Sequence, residues 1–310
     1  MIITLCTLFE GNYHYGVAAL SNSLIAGGFV GDLWVGYRGA LPSWIVDSPD
    51  FDRATATLKV GSALRLRMVE IQTPMHFTYY KPTFVREVFE RHAPEATLVA
   101  YIDPDIVFKC DWASFTAWFT EDAISLIEDV NPNFPERHPK RLQWARFFAP
   151  HGIEPQRRLE RYYNAGYVAV PRAHLAFLDL WIRLCELVMR QNQGVKHLKA
   201  GEATSLFHST DQDALNFALT VSDVPLNTAG PEAMDIVPGG YYLSHAIGSP
   251  KPWHGKHIRQ ALRGMPPTPA SKAYYDFANH PIKAYDTTAF AARVLARKLA
   301  SAIGRFYRRT

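Results

Sequence analysis

The sequence predicts an α/β protein built on a single Rossmann-like, mostly parallel sheet flanked by helices, with a basic helical tail at the C-terminus. Two observations support this fold class. Apolar runs of strand length alternate with helix-like segments along most of the 310 residues. No Gly/Ser-rich or charged linker divides the chain, and a hydrophobic content of 48% is sufficient for a large core. We therefore interpret residues 1–282 as one domain and residues 283–310 as a tail.

The N-terminal segment is typical of a βαβ unit. Residues 2–8 form an apolar run of strand length, residues 15–25 are helix-like and end at Gly27-Gly28, and residues 32–37 predict a second strand. Residues 9–13 then follow the carboxyl end of the first strand, where open parallel sheets bind ligands.

Later segments continue the alternation. Residues 63–71 alternate apolar and charged side chains, which is the period of a half-buried strand. Residues 131–161 are rich in Pro, Arg and His without a clear period, so we expect a loop or helical insertion on the active face. Pro82 is expected to open a helix over 82–91. We expect further strands at 98–102, 123–127, 166–170 and 241–245, and further helices at 174–189 and 211–219.

Cysteine usage and charge limit the location and the partners. Three well-separated cysteines argue against a disulfide framework or a zinc site. The N-terminus lacks the basic region of a signal peptide, and no apolar run reaches about 18 residues, so we expect a cytoplasmic protein. The net charge of +4 is local, because residues 283–310 carry +6 and residues 1–282 carry −2. We therefore expect an anionic partner for the tail and no nucleic-acid binding by the body.

The first candidate site is Asp103-Pro-Asp105, directly after the buried strand at 98–102. Residues two apart in extended backbone point to the same side, so both carboxylates can face one cation. Because Pro104 cannot donate to a sheet, the pair is expected where the strand ends. Two hard oxygen ligands suit Mg²⁺ or Mn²⁺ bound to a diphosphate.

The second candidate site lies in residues 245–253, His-Ala-Ile-Gly-Ser-Pro-Lys-Pro-Trp. The imidazole of His245 would shift the preference toward Mn²⁺. Gly248 allows close approach of the backbone to phosphate oxygens, and Lys251 offers a compact positive charge to a departing diphosphate.

These blocks resemble the family-8 retaining glycosyltransferases, which include glycogenin and bacterial lipooligosaccharide galactosyltransferases. Asp103-Pro-Asp105 resembles the Asp-x-Asp of that family, and residues 245–253 resemble its C-terminal motif. Residues 162–166, Tyr-Tyr-Asn-Ala-Gly, and residues 211–216, Asp-Gln-Asp-Ala-Leu-Asn, resemble two intermediate blocks in the same order. Asn12-Tyr13 resembles the Asn-Tyr of the uridine pocket, so the resemblance covers about residues 2–255.

The resemblance implies a GT-A fold and the transfer of a hexose from a UDP-sugar to a saccharide or glycolipid acceptor, with Mn²⁺ or Mg²⁺ as cofactor. It implies the following roles: metal ligands Asp103, Asp105 and His245; diphosphate contacts Gly248 and Lys251; nucleoside contacts Asn12 and Tyr13; donor-sugar residues Asp211, Gln212, Asn164, Asp129 and Lys81. Gln212 would lie nearest the reacting anomeric carbon. Because an amide is a poor nucleophile, we favour same-face attack over a covalent intermediate.

Two departures from the family leave parts of the site open. This sequence has Glu10-Gly11 where the family has two acidic residues. The ribose and base contacts of the family can therefore be assigned to this sequence only in part. The insertion at 131–161 has no family counterpart, which leaves the acceptor open.

Three alternatives remain at this point. Residues 103–107 also fit the Asp-x-Asp-x-Thr/Val motif of haloacid-dehalogenase-type phosphatases, although the later acidic pair of those enzymes is missing. A nucleotidyltransferase would carry a glycine-rich basic loop after the first strand, where residues 10–13 are Glu-Gly-Asn-Tyr. A non-catalytic sugar-nucleotide-binding protein could keep the same residues.

The tail predicts a basic amphipathic helix. An apolar stripe forms at spacings of four, three and four, and three arginines lie on the opposite side. Such a helix can bind the anionic inner face of a membrane, which would imply a lipid-linked acceptor, or it can pack on its own domain. The stripe residues are Leu295, Leu299, Ala302 and Phe306, and the arginines are Arg293, Arg297 and Arg308.

Overall fold

The computed structural model describes residues 1–191, 205–237 and 239–306, which form an α/β structure as the sequence predicts. The strands are β1 (Ile3–Glu10), β2 (Gly31–Arg38), β3 (Phe51–Asp52), β4 (Thr57–Val60), β5 (Leu64–Glu70), β6 (Leu98–Ile102), β7 (Ile106–Phe108), β8 (Ile124–Asn133), β9 (Arg161–Pro171), β10 (Leu226–Ala229) and β11 (Leu243–His245). The helices are α1 (His14–Ala26), α2 (Ser43–Val46), α3 (Phe77–Glu87), α4 (Trp112–Thr116), α5 (Pro139–Phe148), α6 (Leu175–Gln191), α7 (Thr210–Val221), α8 (His257–Ala261), α9 (Pro269–Phe277) and α10 (Thr287–Ile303).

The chain forms two compact units, the first from residues 1–8, 71–102 and 119–231. Its strands lie in the order β10-β8-β9-β6-β1. β1 is parallel to β6, β10 is parallel to β8, and β9 runs antiparallel between β6 and β8. Every residue of β6 is buried, as expected for a central strand. Helix α6 packs against both α3 and α7.

The second unit comprises residues 9–70, 103–118 and the chain from Glu232 onward. Strands β2 and β5 are parallel, and β4 and β3 extend them in antiparallel fashion. β7 and β11 form a separate antiparallel pair. Trp253, Tyr274, Tyr275 and Tyr285 form an aromatic core cluster, against which Phe290 of α10 packs. No helix of the described ranges is long and apolar enough to cross a membrane.

Two expected boundaries are corrected by the structure. Helix α3 begins at Phe77 rather than at Pro82, because the His76 side chain caps it by accepting from the Thr78 amide; Pro82 lies inside this helix. The final strand is confined to Leu243–His245. The expected insertion at 131–161 contains the end of β8 and helix α5, so it is in part helical.

Gly16 sets the approach of α1 to the Asp103-Pro-Asp105 turn. A Cβ on Gly16 would lie 2.2 Å from the carbonyl oxygen of Pro104 and 3.0 Å from the ring of Trp253. Real Cβ atoms do not approach backbone oxygen this closely, so only glycine permits the contact. The sequence requirement at position 16 therefore comes from packing rather than from a turn.

We predict that Gly16→Ala destabilises the protein by about 2 kcal/mol or more, as expected for overpacking against backbone. In an unhindered helix interior the same change is stabilising by about 1 kcal/mol. The sign of the change in unfolding free energy therefore distinguishes a close contact from open space at position 16. Urea unfolding followed by circular dichroism measures the difference. An unchanged or raised midpoint would contradict the close contact.

Candidate functional site

Three potential metal ligands meet in the second unit. Asp103 and Asp105 lie between β6 and β7, and His245 ends β11. The β7–β11 register places Ile106 opposite His245, and the Ala246 amide donates to the Asp105 carbonyl at 3.0 Å. As a result, His245 Nε2 lies 3.3 Å from Asp105 Oδ1 and 4.0 Å from Asp103 Oδ2. The pairing of two short strands thus joins residues that are 140 positions apart in sequence.

The donor atoms of this triad fit one divalent cation. One ligand atom from each residue lies within 4.8 Å of the other two. Asp105 and His245 are buried and Asp103 is half-buried. Two carboxylate oxygens and one imidazole nitrogen form a donor set that suits Mn²⁺ or Mg²⁺ at an open, partly hydrated site.

Lys251 forms an ion pair with Asp105 of this triad. Its ammonium contacts Asp105 Oδ2 and donates to the Ala246 carbonyl at 2.9 Å. Burial would raise the pKa of the Asp105 carboxyl, but Lys251 and His245 outweigh this effect and hold that pKa well below its usual range. Burial would likewise lower the pKa of Lys251, but Asp105 raises it. Gly248, in the same loop, is exposed and has φ +82°, which favours glycine.

The segment after β1 brings an aromatic ring beside this cluster. Tyr13 lies in the short 3₁₀ turn Gly11–Tyr13, and its ring meets Trp253 edge-on with centroids 5.1 Å apart. Asn12 in the same turn is exposed. Glu10 accepts two hydrogen bonds from Arg38, at 2.6 and 3.0 Å. Arg38 is not among the residues that the sequence predicted for the site. The feature that could have indicated it is its position directly after the strand expected at residues 32–37.

A second polar cluster lies in the first unit and joins three elements. Asp129 of β8 accepts from the Gln212 amide of α7 at 2.7 Å and from the Asn164 amide of β9 at 3.1 Å. The other end of the Gln212 amide, Oε1, accepts from the Ala165 backbone amide at 3.1 Å. Asn164 Oδ1 accepts from the Gly166 amide at 2.8 Å. Both ends of each amide side chain are therefore fixed.

Lys81 and Asp211 form a buried ion pair in the same unit. Their Nζ and Oδ2 atoms lie 3.0 Å apart, and both residues are about 5% exposed. Lys81 also donates to the Ala165 carbonyl at 3.2 Å and lies 5.3 Å from the centre of the Tyr101 ring. The ammonium is therefore tied to the backbone residue that also holds Gln212.

Asp213 is a neighbouring acid that the sequence did not single out. Burial raises the pKa of its carboxyl to about 7, although hydrogen bonds from the Tyr162 hydroxyl and the Ser209 amide favour the ionised form. Its place within the block at 211–216 was the available signal. The protonation of this carboxyl group therefore changes near neutral pH.

The expected site residues thus form two groups, one in each unit. In the second unit, Asp105 contacts both His245 and Lys251, and Asp103 lies 4.0 Å from His245. Gly248 is exposed in the loop between His245 and Lys251, Asn12 is exposed next to Tyr13, and Tyr13 contacts Trp253. In the first unit, contacts connect the remaining five: Lys81, Asp129, Asn164, Asp211 and Gln212.

Comparisons with known proteins support the fold. The sequence matches no family model and no curated protein. The structure of the bifunctional glycosyltransferase WbbM superposes on 94% of this chain with a TM-score of 0.54 and 14% sequence identity. The galactosyltransferase LgtC, solved with donor and acceptor sugar analogues, superposes on 94% with a TM-score of 0.51 and 13% identity. The chain has the GT-A fold.

This GT-A chain spans 51% of the length of WbbM and 99% of that of LgtC. At 13–14% identity the likeness establishes the fold, and the chemistry has to be derived from the residues of the site.

We predict that Asp213→Asn changes the pH dependence of stability. The folded-state pKa of about 7 lies above the ordinary value of 3.8. Between these values the folded chain holds a proton that the unfolded chain has lost, so the free energy of unfolding falls as pH rises from 4 to 7. The asparagine variant lacks this loss and should gain up to about 3 kcal/mol relative to the parent between pH 4.5 and 8.

Melting temperatures of both proteins across this pH range measure the effect. Asp122→Asn, at an exposed position, is the matched control and should follow the parent. Parallel curves for the parent and Asp213→Asn would contradict the raised pKa.

Proposed function

We propose that the chain is a metal-dependent glycosyltransferase that moves a hexose from a UDP-sugar to a saccharide or glycolipid acceptor with retention of configuration. The observation that carries this proposal is the convergence of Asp103, Asp105 and His245, two carboxylates and a distant imidazole, around a space that suits one divalent ion. The GT-A fold provides the setting in which such a triad meets a nucleotide diphosphate. Transfer of a sugar in general follows from the fold and the triad together.

The second-unit cluster would bind the nucleoside diphosphate. Asp103, Asp105 and His245 would hold the Mn²⁺ or Mg²⁺ ion, which acts as a Lewis acid toward the diphosphate when bound. Lys251 would contribute a point charge to the oxygen that accumulates negative charge as the sugar leaves. The exposed backbone at Gly248 would contact phosphate oxygens, and the ring of Tyr13 would stack on the base.

The first-unit cluster would handle the donor sugar. Asp211 and Asn164 would bind its hydroxyl groups, with Lys81 orienting Asp211 through their ion pair. Gln212 would lie beside the anomeric carbon, and Asp129 holds the Gln212 amide in one orientation. Because an amide oxygen that already accepts from the Ala165 amide is a weak nucleophile, we favour a mechanism without a covalent sugar–enzyme intermediate.

In that mechanism the anomeric carbon–phosphate oxygen bond breaks, and its electron pair stays on the diphosphate. The acceptor hydroxyl oxygen forms its bond to the anomeric carbon from the same face. The hydroxyl proton passes to the leaving phosphate oxygen. Lys251 would stabilise the departing charge.

We further propose that the protein binds the inner face of a membrane through α8 and α10. Helix α10 packs on its unit through its arginine side, since Arg293 donates to the Trp253 carbonyl at 2.8 Å and Arg297 lies 5.9 Å from the centre of the Tyr275 ring. The expected opposite arrangement of apolar stripe and arginines is present, but the apolar stripe points outward. Arg308 lies outside the described residues.

Helix α8 adds to this surface. It packs against α10, and Pro266 touches Gly304 beyond the end of α10. Large apolar side chains are exposed on both helices and on the residues that follow each of them, with Leu262 63% and Phe306 89% exposed. Exposed basic residues flank them, which complements anionic lipid headgroups. The apolar residues are Ile258, Leu262, Met265, Leu295, Leu299 and Phe306, and the basic residues are Arg259, Arg263, Lys298 and Arg305.

We predict that Asp105→Asn abolishes the Mn²⁺-dependent part of UDP binding, because the amide removes the charge that the cation requires at nearly the same volume. Calorimetric titration with UDP, with and without Mn²⁺, should show at least a tenfold enhancement in the parent and none in the variant. Asp276→Asn, at an exposed position of the same unit, should bind like the parent.

Circular dichroism should show that the Asp105→Asn variant is folded. A folded variant that retains the parent's Mn²⁺ enhancement would show that the triad is not the metal site. A screen of UDP-, GDP- and TDP-sugars for Mn²⁺-stimulated hydrolysis would identify the donor, and absence of turnover with every donor would contradict the transferase.

For the membrane surface, we predict that Leu262→Glu combined with Leu299→Glu reduces co-sedimentation with vesicles containing phosphatidylglycerol at least tenfold, because it places two charges on the apolar surface. Val30→Glu, at a 73% exposed apolar position elsewhere, should sediment like the parent. Equal sedimentation of the parent and the double variant would exclude this surface as a membrane site. Loss of a dimer in size-exclusion chromatography instead would identify a self-association surface.

A further inference from the structure

Residues 134–161, which belong to the insertion at 131–161 that has no family counterpart, connect two elements of the donor-sugar cluster and contact the third. This segment leaves β8, which carries Asp129, and returns as β9, which carries Asn164. Between these strands it packs along α7, which carries Gln212 in its first turn. All of these residues belong to the first unit.

The segment contacts the chain that leads into α7. The Trp144 indole donates to the Leu206 carbonyl at 2.9 Å, and the Lys140 ammonium contacts the Ser205 carbonyl. These contacts come from helix α5, whose Trp144 is 1% exposed. The residues that precede the first turn of α7 are therefore held by a hydrogen bond from a buried side chain of α5.

The segment also covers the C-terminus of α7. The last carbonyl groups of a helix lack partners within the helix, and a cation there is favourable. The Arg157 guanidinium donates to the Leu219 carbonyl at 2.6 Å and to the Val224 carbonyl at 2.7 Å. The backbone amides of Gln156 and Arg157 both donate to the Thr220 carbonyl, at 2.8 and 3.0 Å. Arg157 therefore caps α7 with side chain and backbone together.

A buried arginine links the middle of α7 to both ends of the segment. Arg141 is 5% exposed, and its guanidinium donates to the carbonyls of Phe134 at 2.8 Å, Arg161 at 2.6 Å and Asn216 at 3.5 Å. The desolvation of a buried guanidinium is unfavourable unless several acceptors compensate it. These acceptors lie at the start of the segment, at its end and on α7.

We propose that residues 134–161 act as a brace that sets the position of α7, and that Arg157 is a positioning residue for Gln212. An axial shift or rotation of α7 would move Gln212 away from Asp129 and from the Ala165 amide, which now orient it. A misplacement near 1 Å at a reacting centre can cost about a hundredfold in rate. This inference rests on the proposed function for its effect on turnover, but the brace itself can be tested without turnover.

The test compares Arg157→Gln with Arg158→Gln, a neighbour that is 81% exposed and pairs only with surface Glu136 among the described residues. Hydrogen exchange read by mass spectrometry should show at least tenfold faster amide exchange across residues 210–221 in Arg157→Gln, and parent-like exchange in Arg158→Gln. Arg157→Lys, which keeps the charge at the helix end, should recover part of the protection. Equal exchange in Arg157→Gln and Arg158→Gln would overturn the brace.

The second readout is Mn²⁺-dependent hydrolysis of the donor. Arg157→Gln should lower kcat at least tenfold while the affinity for UDP with Mn²⁺ stays within twofold of the parent, since the second-unit cluster is untouched. A parent-like kcat with fast exchange would show that the brace does not position Gln212. A parent without any turnover would contradict the proposed function, and the exchange result would still decide the brace. If Arg157→Gln does not fold, amide exchange and kcat are measured for Arg157→Lys instead and compared with those of Arg158→Gln and the parent.

Discussion

The buried carboxylate of Asp105 is the constraint on which the second-unit cluster depends. An ionised acid at 6% exposure is unfavourable unless neighbouring groups compensate it, and here the Lys251 ammonium pairs with the carboxylate and the His245 Nε2 atom lies 3.3 Å from it. Both partners come from one short stretch around β11, so the pairing of β11 with β7 and the loop that returns to Lys251 are needed for the charge balance. The close packing of Gly16 on Pro104 holds the same turn from the other side.

In the first-unit cluster, by contrast, neutral amide side chains orient the carboxylate of Asp129. Asp129 accepts from Gln212 and Asn164, and backbone amides fix the opposite ends of both side chains. The three residues lie on different elements, so their geometry depends on how β8, β9 and α7 are held together. The segment at 134–161 contributes to this connection through the hydrogen bonds that Arg141 and Arg157 donate to backbone carbonyl groups.

Much of the fold was predictable from local patterns, because a buried strand such as β6 leaves a short continuous apolar run and a core helix such as α6 leaves a longer apolar segment. The α3 start was missed because the histidine cap at position 76 is a weaker sequence signal than Pro82. Strand β7, with three residues, is too short for a periodic signal, yet it brings His245 to Asp105. Residue types and spacing indicated the metal and diphosphate residues, and the resemblance to a family indicated the other site residues. Arg38 and Asp213, in contrast, depend on contacts between distant segments that spacing alone does not encode. The same holds for Arg157, whose acceptors lie more than 60 positions away.

The hydrogen bond between Gln212 and Asp129 also limits which side chains position 212 can accept. A glutamate there would place a second carboxylate at about 2.7 Å from Asp129, in the position of the present amide nitrogen. Two acids at that separation share one proton, so neither would be a fully ionised nucleophile at neutral pH. A double-displacement route through a carboxylate at position 212 would therefore also require replacement of Asp129, although it would retain the anomeric configuration just as same-face attack does.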